Sequence, residues 1–145
     1  MRKIIFSVFT GLLIGCSSEP EIKLPDVKQV GMGSADKMIQ AAGLKPVEKI
    51  TSTDSKNDPK QIYKFDGVFT QLEHSKNFVT IAWHQNDNDS LDKAVRLGIA
   101  SLGNDAGYFI HKVDLNGQHT EYSIAGHKID NNTCISKLCS IRIMQ

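Results

Sequence analysis

The stretch from Leu91 to Leu102 constrains the fold most, because its apolar residues recur with the period of an α-helix. Asp89 or Ser90 can cap the start of this helix, and Gly103 can end it. The pattern therefore predicts an amphipathic helix over residues 90–102 that packs one side against a core. The apolar positions are Leu91, Ala94, Val95, Gly98, Ile99 and Leu102, and the polar positions opposite them are Asp92, Lys93 and Arg96.

Two segments before this helix have the composition of β-strands. Residues 62–72 are rich in Tyr, Phe, Val and Thr, and Asp66-Gly67 in their middle is either a tight hairpin turn or a bulge in one long strand. Residues 78–84 alternate, so Val79, Ile81 and Trp83 share one face, which we expect in the core. The polar link between the two segments predicts a hairpin.

Asn116-Gly117 is the strongest turn signal in the C-terminal part of the chain. It predicts a hairpin with strands over residues 109–113 and 120–124. A last alternating segment, residues 140–144, is predicted to pair with the strand before Cys134.

These segments together predict a single α+β domain over residues 34–145. A short helix from Ala35 to Ala42 is expected after the capping residue Ser34. Residues 47–50 are a further strand candidate, and the polar residues 51–60 predict a surface loop. We expect a single antiparallel sheet of about five to six strands that packs against the main amphipathic helix, with the short N-terminal helix at an edge or end.

The N-terminus has the order of residues found in an export signal. Arg2 and Lys3 give a positive start, and residues 4–14 form an apolar run too short to span a bilayer, which needs about 20 residues. Leu13-Ile14-Gly15-Cys16 then places a branched apolar residue three before the cysteine and a small residue just before it. This tetrapeptide resembles the lipobox of bacterial lipoprotein precursors.

The resemblance implies that residues 1–15 are a cleaved signal peptide and that acyl chains on Cys16 anchor the mature protein to a membrane. Two or more chains make such an anchor stable. Ser17 stands where inner-membrane lipoproteins usually have Asp, which implies the outer membrane, facing the periplasm. In a Gram-positive organism the same anchor implies the outside of the cell membrane. Residues 16–33, with two prolines and few apolar side chains, predict a lipidated cysteine followed by a flexible tether.

Charge and cysteine content narrow the partners further. Cleavage after residue 15 removes Arg2 and Lys3, which leaves 15 basic against 16 acidic residues and argues against nucleic acid as a partner. With Cys16 lipidated, Cys134 and Cys139 remain as an even pair in an exported chain, which predicts a disulfide. The four residues between them make a small ring that fixes a local turn.

No metal site or cofactor is expected from the motifs. His111, His119 and His127 recur every eight residues, but the predicted hairpin points His111 and His119 to opposite faces of the sheet. His74 and His84, which flank one hairpin, are the alternative pair. The acids of Asp87-Asn88-Asp89 resemble the start of a calcium loop, but the later loop positions do not match, and helix capping explains them more simply.

Catalysis is not expected either, because the chain has no G-x-S-x-G turn and its thiols are assigned to lipidation or pairing. The sequence favours a small protein-binding domain, such as an envelope assembly factor, an inhibitor or an immunity protein, which would bind its partner through loops such as residues 51–60 or 85–90. The alternative is a binder of a small ligand or glycan that uses a pocket near Trp83 and Tyr108.

Overall fold

A computed structural model of the protein describes residues 21–119 and 123–145. Within these residues the chain folds into an α+β domain, and no helix there is long and apolar enough to cross a membrane. The elements in chain order are α1 Ala35–Ala41, β1 Glu48–Thr53, β2 Pro59–Lys64, β3 Thr70–Ser75, β4 Phe78–His84, α2 Asn88–Leu102, α3 Asn104–Asn116, β5 Ser123–Ile124, β6 His127–Ile135 and β7 Leu138–Met144.

One open antiparallel sheet organises the described part of the domain. Its strand order is β1-β2-β3-β4-β7-β6-β5, and every pair of neighbours runs antiparallel. The predicted fold class and single antiparallel sheet are therefore confirmed, whereas the described residues contain seven strands rather than five or six. The predicted pairing of residues 140–144 with the strand before Cys134 is also confirmed, because β6 pairs with β7.

The segment from residue 62 to 72 is a hairpin and not one bulged strand. Asp66-Gly67 lies in the loop between β2 and β3, which pair directly. Gly67 has a φ of 95°, a backbone conformation that side chains rarely tolerate. A Cβ atom there would also stand 2.6 Å from the Asp89 carboxylate, which would have to move away, so it is the positive φ that favours glycine in this turn.

The helices cover one face of the sheet. Helix α2 packs on β3 and β4, while α1 and α3 both pack on α2. The predicted core side of β4 is confirmed, because Val79, Ile81 and Trp83 are fully buried, together with Ile141 and Ile143 of β7. The alternate side chains lie on the other face, which no element of the described residues covers and which we call the open face. On β4 and β7 this face includes Ala82, His84, Ser140 and Arg142, which are partly exposed, and Phe78 and Thr80, which are buried.

Helix α2 begins earlier than predicted and is buried more completely. Its N-cap is Asp87, whose carboxylate accepts from the backbone N–H of Ser90 at 2.8 Å, so the prediction of Asp89 or Ser90 as the cap is wrong.

Lys93 of this helix was expected on the exposed side but is buried. Its ammonium group forms ion pairs with Asp89 at 2.7 Å and Asp66 at 2.9 Å, and so joins α2 to the β2–β3 loop. Burial alone would lower the pKa of Lys93, but the hydrogen bonds to these two carboxylates raise it above its ordinary value.

The predicted hairpin around Asn116-Gly117 is wrong, because residues 104–116 form helix α3. Ala106, Phe109, Ile110 and Val113 are buried at helical spacing against α2. Gly117 ends the helix with a φ of 73°, and its N–H donates to the Val113 carbonyl at 2.8 Å. The same dipeptide thus serves as a helix stop instead of a hairpin turn.

Residues 24–32, which we call the N-terminal strap, do not form the predicted flexible tether. Leu24 and Val27 pack against the core, and Met32 is buried. The backbone N–H groups of Val30 and Gly31 both donate to the Ala100 carbonyl of α2, at 2.8 and 3.1 Å. Residues 24–32 are therefore part of the domain and not a flexible tether that ends at Gly33, because their scattered apolar side chains pack against the core.

Candidate functional site

The six residues 134–139, which we call the hairpin tip, join β6 to β7. The Sγ atoms of Cys134 and Cys139 lie at disulfide-bonding distance, as the sequence predicts. Ser136 and Lys137 form the turn, with φ values of 51° and 67°. Two successive positive φ values are typical of a type I′ turn, for which Asn-Gly is the preferred sequence. The tip therefore holds a strained backbone inside a small covalent ring.

The hairpin tip exposes two aliphatic side chains. Ile135 is 70% exposed and Leu138 is 48% exposed, and the two face each other as a cross-strand pair. Leu138 also pairs with His84 of β4 on the open face of the sheet. Single exposed apolar residues are common on protein surfaces, but two adjacent ones on a cross-linked turn form a small patch that a partner can cover.

Backbone hydrogen bonds hold the hairpin tip against two neighbouring segments. The N–H of Gln85, just after β4, donates to the Lys137 carbonyl at 2.7 Å. The N–H of Cys134 donates to the Gly117 carbonyl at the end of α3, also at 2.7 Å. The orientation of the tip is therefore set by β4 and α3 and does not depend on the turn alone.

A buried polar network lies beneath these contacts. Trp83 donates its indole N–H to the Asp114 carboxylate at 3.0 Å, and the backbone N–H of Asn86 donates to the same oxygen at 3.2 Å. The side-chain amide of Gln85 donates to the Asp114 carbonyl at 2.7 Å. This network ties the end of β4 to the last turn of α3, and so fixes both segments that support the hairpin tip.

The structure excludes the predicted pocket near Trp83 and Tyr108. Trp83 is fully buried under the helices, whereas Tyr108 is 42% exposed on α3, so the two rings do not share a pocket. Tyr108 instead borders a cavity of about 560 Å³ between α3 and the start of β5. The other lining residues are Asp105, Phe109, Lys112, Ser123, Ile124 and Ala125.

The described residues bring together no group of three His, Cys, Asp or Glu side chains that could hold a metal ion. His111 lies on a helix and not on a strand, so the hairpin argument that separated it from His119 does not apply. Burial lowers the pKa of His111 from its ordinary value. His74 donates from Nε2 to the Met32 carbonyl at 2.6 Å, which fastens the strap to β3.

The two loops expected to bind a partner are both held by internal contacts. In the turn between β1 and β2, the Asp54 carboxylate accepts from the backbone N–H groups of Lys56 and Asp58 and from the Asn77 side chain at 2.9, 3.0 and 2.7 Å. The Asn77 amide has the largest effect on Asp54 and lowers its pKa to about 2. Of residues 85–90, the last three already belong to α2, Asp87 caps that helix and Gln85 supports the hairpin tip. The acids of both loops are thus occupied by structural contacts.

Cys16, the predicted lipidation site, lies outside the described residues.

The sequence predicted the hairpin tip only as a local turn and did not predict that Ile135 and Leu138 form an exposed surface. The available signal was the position of these two apolar residues between the paired cysteines, at the turn of a hairpin. Comparisons with protein-family models, with curated proteins and with solved structures found no match for this chain.

Proposed function

We propose that the protein is a membrane-anchored lipoprotein of the bacterial envelope whose small, non-catalytic domain binds another envelope protein. Cys16 carries the lipid anchor, and the domain faces the periplasm from the outer membrane or, in a Gram-positive organism, the outside of the cell membrane. The partner-binding element is the hairpin tip. Such a protein acts as an assembly factor, an inhibitor or an immunity protein.

The single observation that carries this proposal is the exposure of Ile135 and Leu138 on a cross-linked turn. A backbone that is already held in its bound conformation loses little conformational entropy when a partner covers the tip, so a small patch can contribute more affinity. The support from Gln85 and Gly117 adds to this preorganisation. A β-hairpin of this kind fits an apolar cleft on the partner.

The charge of the hairpin tip adds a requirement for the partner. Lys137 lies at the apex of the turn between the two exposed aliphatic residues. A cleft that receives the tip should therefore offer an apolar floor for Ile135 and Leu138 and a carboxylate or carbonyl oxygen near Lys137. Protein surfaces provide this combination, and it favours a protein partner over a sugar, because the tip has no aromatic ring to stack on one.

The test is an in-cell crosslink and pull-down of the lipidated protein followed by mass spectrometry. The double variant Ile135→Ser and Leu138→Ser removes the apolar side chains of the tip and keeps the disulfide. The matched control is Val47→Ser and Val68→Ser, since these two residues are about equally exposed on other parts of the domain. Cys16→Ala serves as the mislocalised protein, and the mass of the N-terminal peptide reports lipidation.

A partner that is captured in stoichiometric amount by the unmodified protein and by the control, but lost from the tip variant at unchanged melting temperature, is the expected result. Equal capture by all variants would show that the tip is not the binding element. A chain that keeps residues 1–15 and gains no acyl groups would refute the anchor.

A further inference from the structure

The outer side of α3 exposes a second group of residues that the hairpin tip does not use. Tyr108 is 42% exposed and Leu115 is 78% exposed. They stand seven residues apart, which places them on the same side of the helix two turns from each other. Lys112 is exposed between them. We call Tyr108, Lys112 and Leu115 the outer α3 face.

The strap determines where the chain from the proposed anchor meets the domain. Leu24, the first residue of the strap, touches α3 beside Gly107, where an added Cβ atom would stand 3.2 Å from Leu24 Cδ2. Gly107 directly precedes Tyr108 in the helix. The hydrogen bonds of Val30 and Gly31 to Ala100 hold the rest of the strap in place. The chain therefore reaches the domain at the border of the outer α3 face.

The length of chain before the strap limits how far the domain can move from the anchor. Seven residues, 17–23, separate Cys16 from Leu24. Covalent geometry allows these eight Cα steps to span at most about 28 Å. A compact domain of this size has a radius of gyration of about 14 Å and so a diameter of about 35 Å. The reach is shorter than the domain is wide, so the side that carries Leu24 and Tyr108 can rest on the membrane and the opposite side cannot.

We infer that the outer α3 face docks on the phospholipid surface of the membrane that holds the anchor. This inference rests on the proposed lipidation of Cys16. Tyr108 suits the headgroup region, where aromatic side chains with a polar end are enriched. Leu115 can enter the acyl boundary, and Lys112 can approach lipid phosphates. Because the anchor keeps the local lipid concentration high, weak contacts are sufficient for docking.

This orientation has a consequence for the hairpin tip. Ile135 and Leu138 lie on the open face of the sheet, whereas α3 lies on the covered face. A domain that rests on the membrane through α3 turns its open face away from the lipid. The proposed partner-binding element is then free to meet a protein in the periplasm or on the cell surface.

The test places single tryptophans on the surface of the lipidated protein in vesicles of phosphatidylethanolamine and phosphatidylglycerol with brominated acyl chains. Tyr108→Trp and Leu115→Trp report the outer α3 face. Val47→Trp and Val68→Trp are controls of comparable exposure in other parts of the domain. The native Trp83 is fully buried and provides a constant background. Unlipidated Cys16→Ala versions of each variant correct for random collisions.

We expect bromine quenching of the added tryptophans at positions 108 and 115 and no added quenching at 47 and 68. Equal quenching at all four positions, or more at 47 and 68, in a protein shown by mass to be acylated would overturn the orientation while the anchor stands. A blue shift of emission at 108 and 115 without quenching would point to a second copy or a protein partner on this face and would also overturn it. A protein that carries no acyl groups would refute the anchor and the orientation together.

Discussion

A single buried carboxylate, that of Asp114, connects the core to the candidate binding element. It accepts hydrogen bonds from the Trp83 indole and from the Asn86 backbone, and both donors lie at the end of β4. The indole N–H does not reach bulk water, because Trp83 is fully buried and Asp114 is buried beside it. Removal of the acceptor would therefore leave this N–H without a partner, which is costlier than the loss of a surface hydrogen bond.

Asp114→Ala is expected to lower the free energy of unfolding by about 2 to 3 kcal/mol, because a buried indole N–H and a backbone N–H lose their acceptor. Urea unfolding followed by Trp83 fluorescence measures the change. Lys112→Ala on the exposed side of the same helix is the control and should change the stability by less than about 0.5 kcal/mol. Equal effects of the two substitutions would mean that the network contributes nothing beyond helix propensity.

The Asp54 carboxylate makes the free energy of unfolding depend on pH in the acidic range. Its pKa falls from the ordinary value of 3.8 to about 2 in the folded protein, chiefly through the Asn77 hydrogen bond. A carboxyl whose pKa is lower in the folded state stabilises the fold above its unfolded pKa, and this contribution is lost as the pH falls through the folded pKa. Asp58, whose pKa is lowered by Lys76, contributes in the same direction.

We therefore expect the urea midpoint of the unmodified protein to fall between about pH 4 and pH 2, and to fall less steeply in Asp54→Asn, which cannot ionise at this position. The measurement is a series of urea titrations over this pH range. Asp105→Asn, outside the loop, is the matched control and should follow the unmodified protein. Parallel curves for Asp54→Asn and the unmodified protein would show that Asp54 is not a source of acid sensitivity.

At the scale of the elements, the hairpin tip combines a stabilising cross-link with a turn whose backbone conformation is unfavourable. Ser136 and Lys137 both have positive φ values, which non-glycine residues adopt at a cost of about 1 to 2 kcal/mol each. The ring closed by Cys134 and Cys139 and the hydrogen bond from Gln85 hold the turn in this conformation. A turn sequence chosen only for stability would be Asn-Gly.

Lys137→Gly should accordingly raise the free energy of unfolding by about 1 kcal/mol, because glycine adopts the required φ without strain. Gly is also more flexible in the unfolded chain, which limits the gain. Thermal unfolding under oxidising conditions measures it, with Lys112→Gly, in the middle of α3, as a control that should be destabilising. A loss of stability in Lys137→Gly would show that the turn is not strained and that the Lys137 side chain stabilises it.

The elements also show why the sequence predicted some parts of the fold and missed others. Helix α2 and strand β4 were predictable because each has one period that dominates, although the cap of α2 was assigned two or three residues too late. Residues 104–117 were not, because their apolar residues fit both alternation and helical spacing, and Asn116-Gly117 serves equally as a hairpin turn or a helix stop. The packing of Ala106 and Ile110 against α2 decides between them, and that contact is not visible in a local pattern.

At the scale of the whole molecule, the strap decides how the domain relates to its proposed anchor. Few apolar residues and two prolines made residues 16–33 look like a tether, and local composition cannot show that Leu24, Val27 and Met32 pack against the core. Prediction of the candidate site from the sequence is limited in a similar way. The cysteine pair was predictable from counting, but the face on which Ile135 and Leu138 lie follows from the register of β7 with β4.

Because the strap packs on the domain, its removal should destabilise the fold, whereas removal of a free tether should not. An unlipidated protein that begins at residue 24 should unfold at the same urea concentration as one that begins at residue 17. A protein that begins at residue 34 should lose about 3 kcal/mol or more, because Leu24, Val27 and Met32 no longer cover the helices. If the shortest chain fails to fold, Met32→Ala in the longer chain tests the same contact, with a loss of about 2 to 4 kcal/mol, against Val30→Ala as a more exposed control. Unchanged stability of both the shortest chain and Met32→Ala would return residues 24–32 to the role of a tether, and the domain would then have no fixed side toward the membrane.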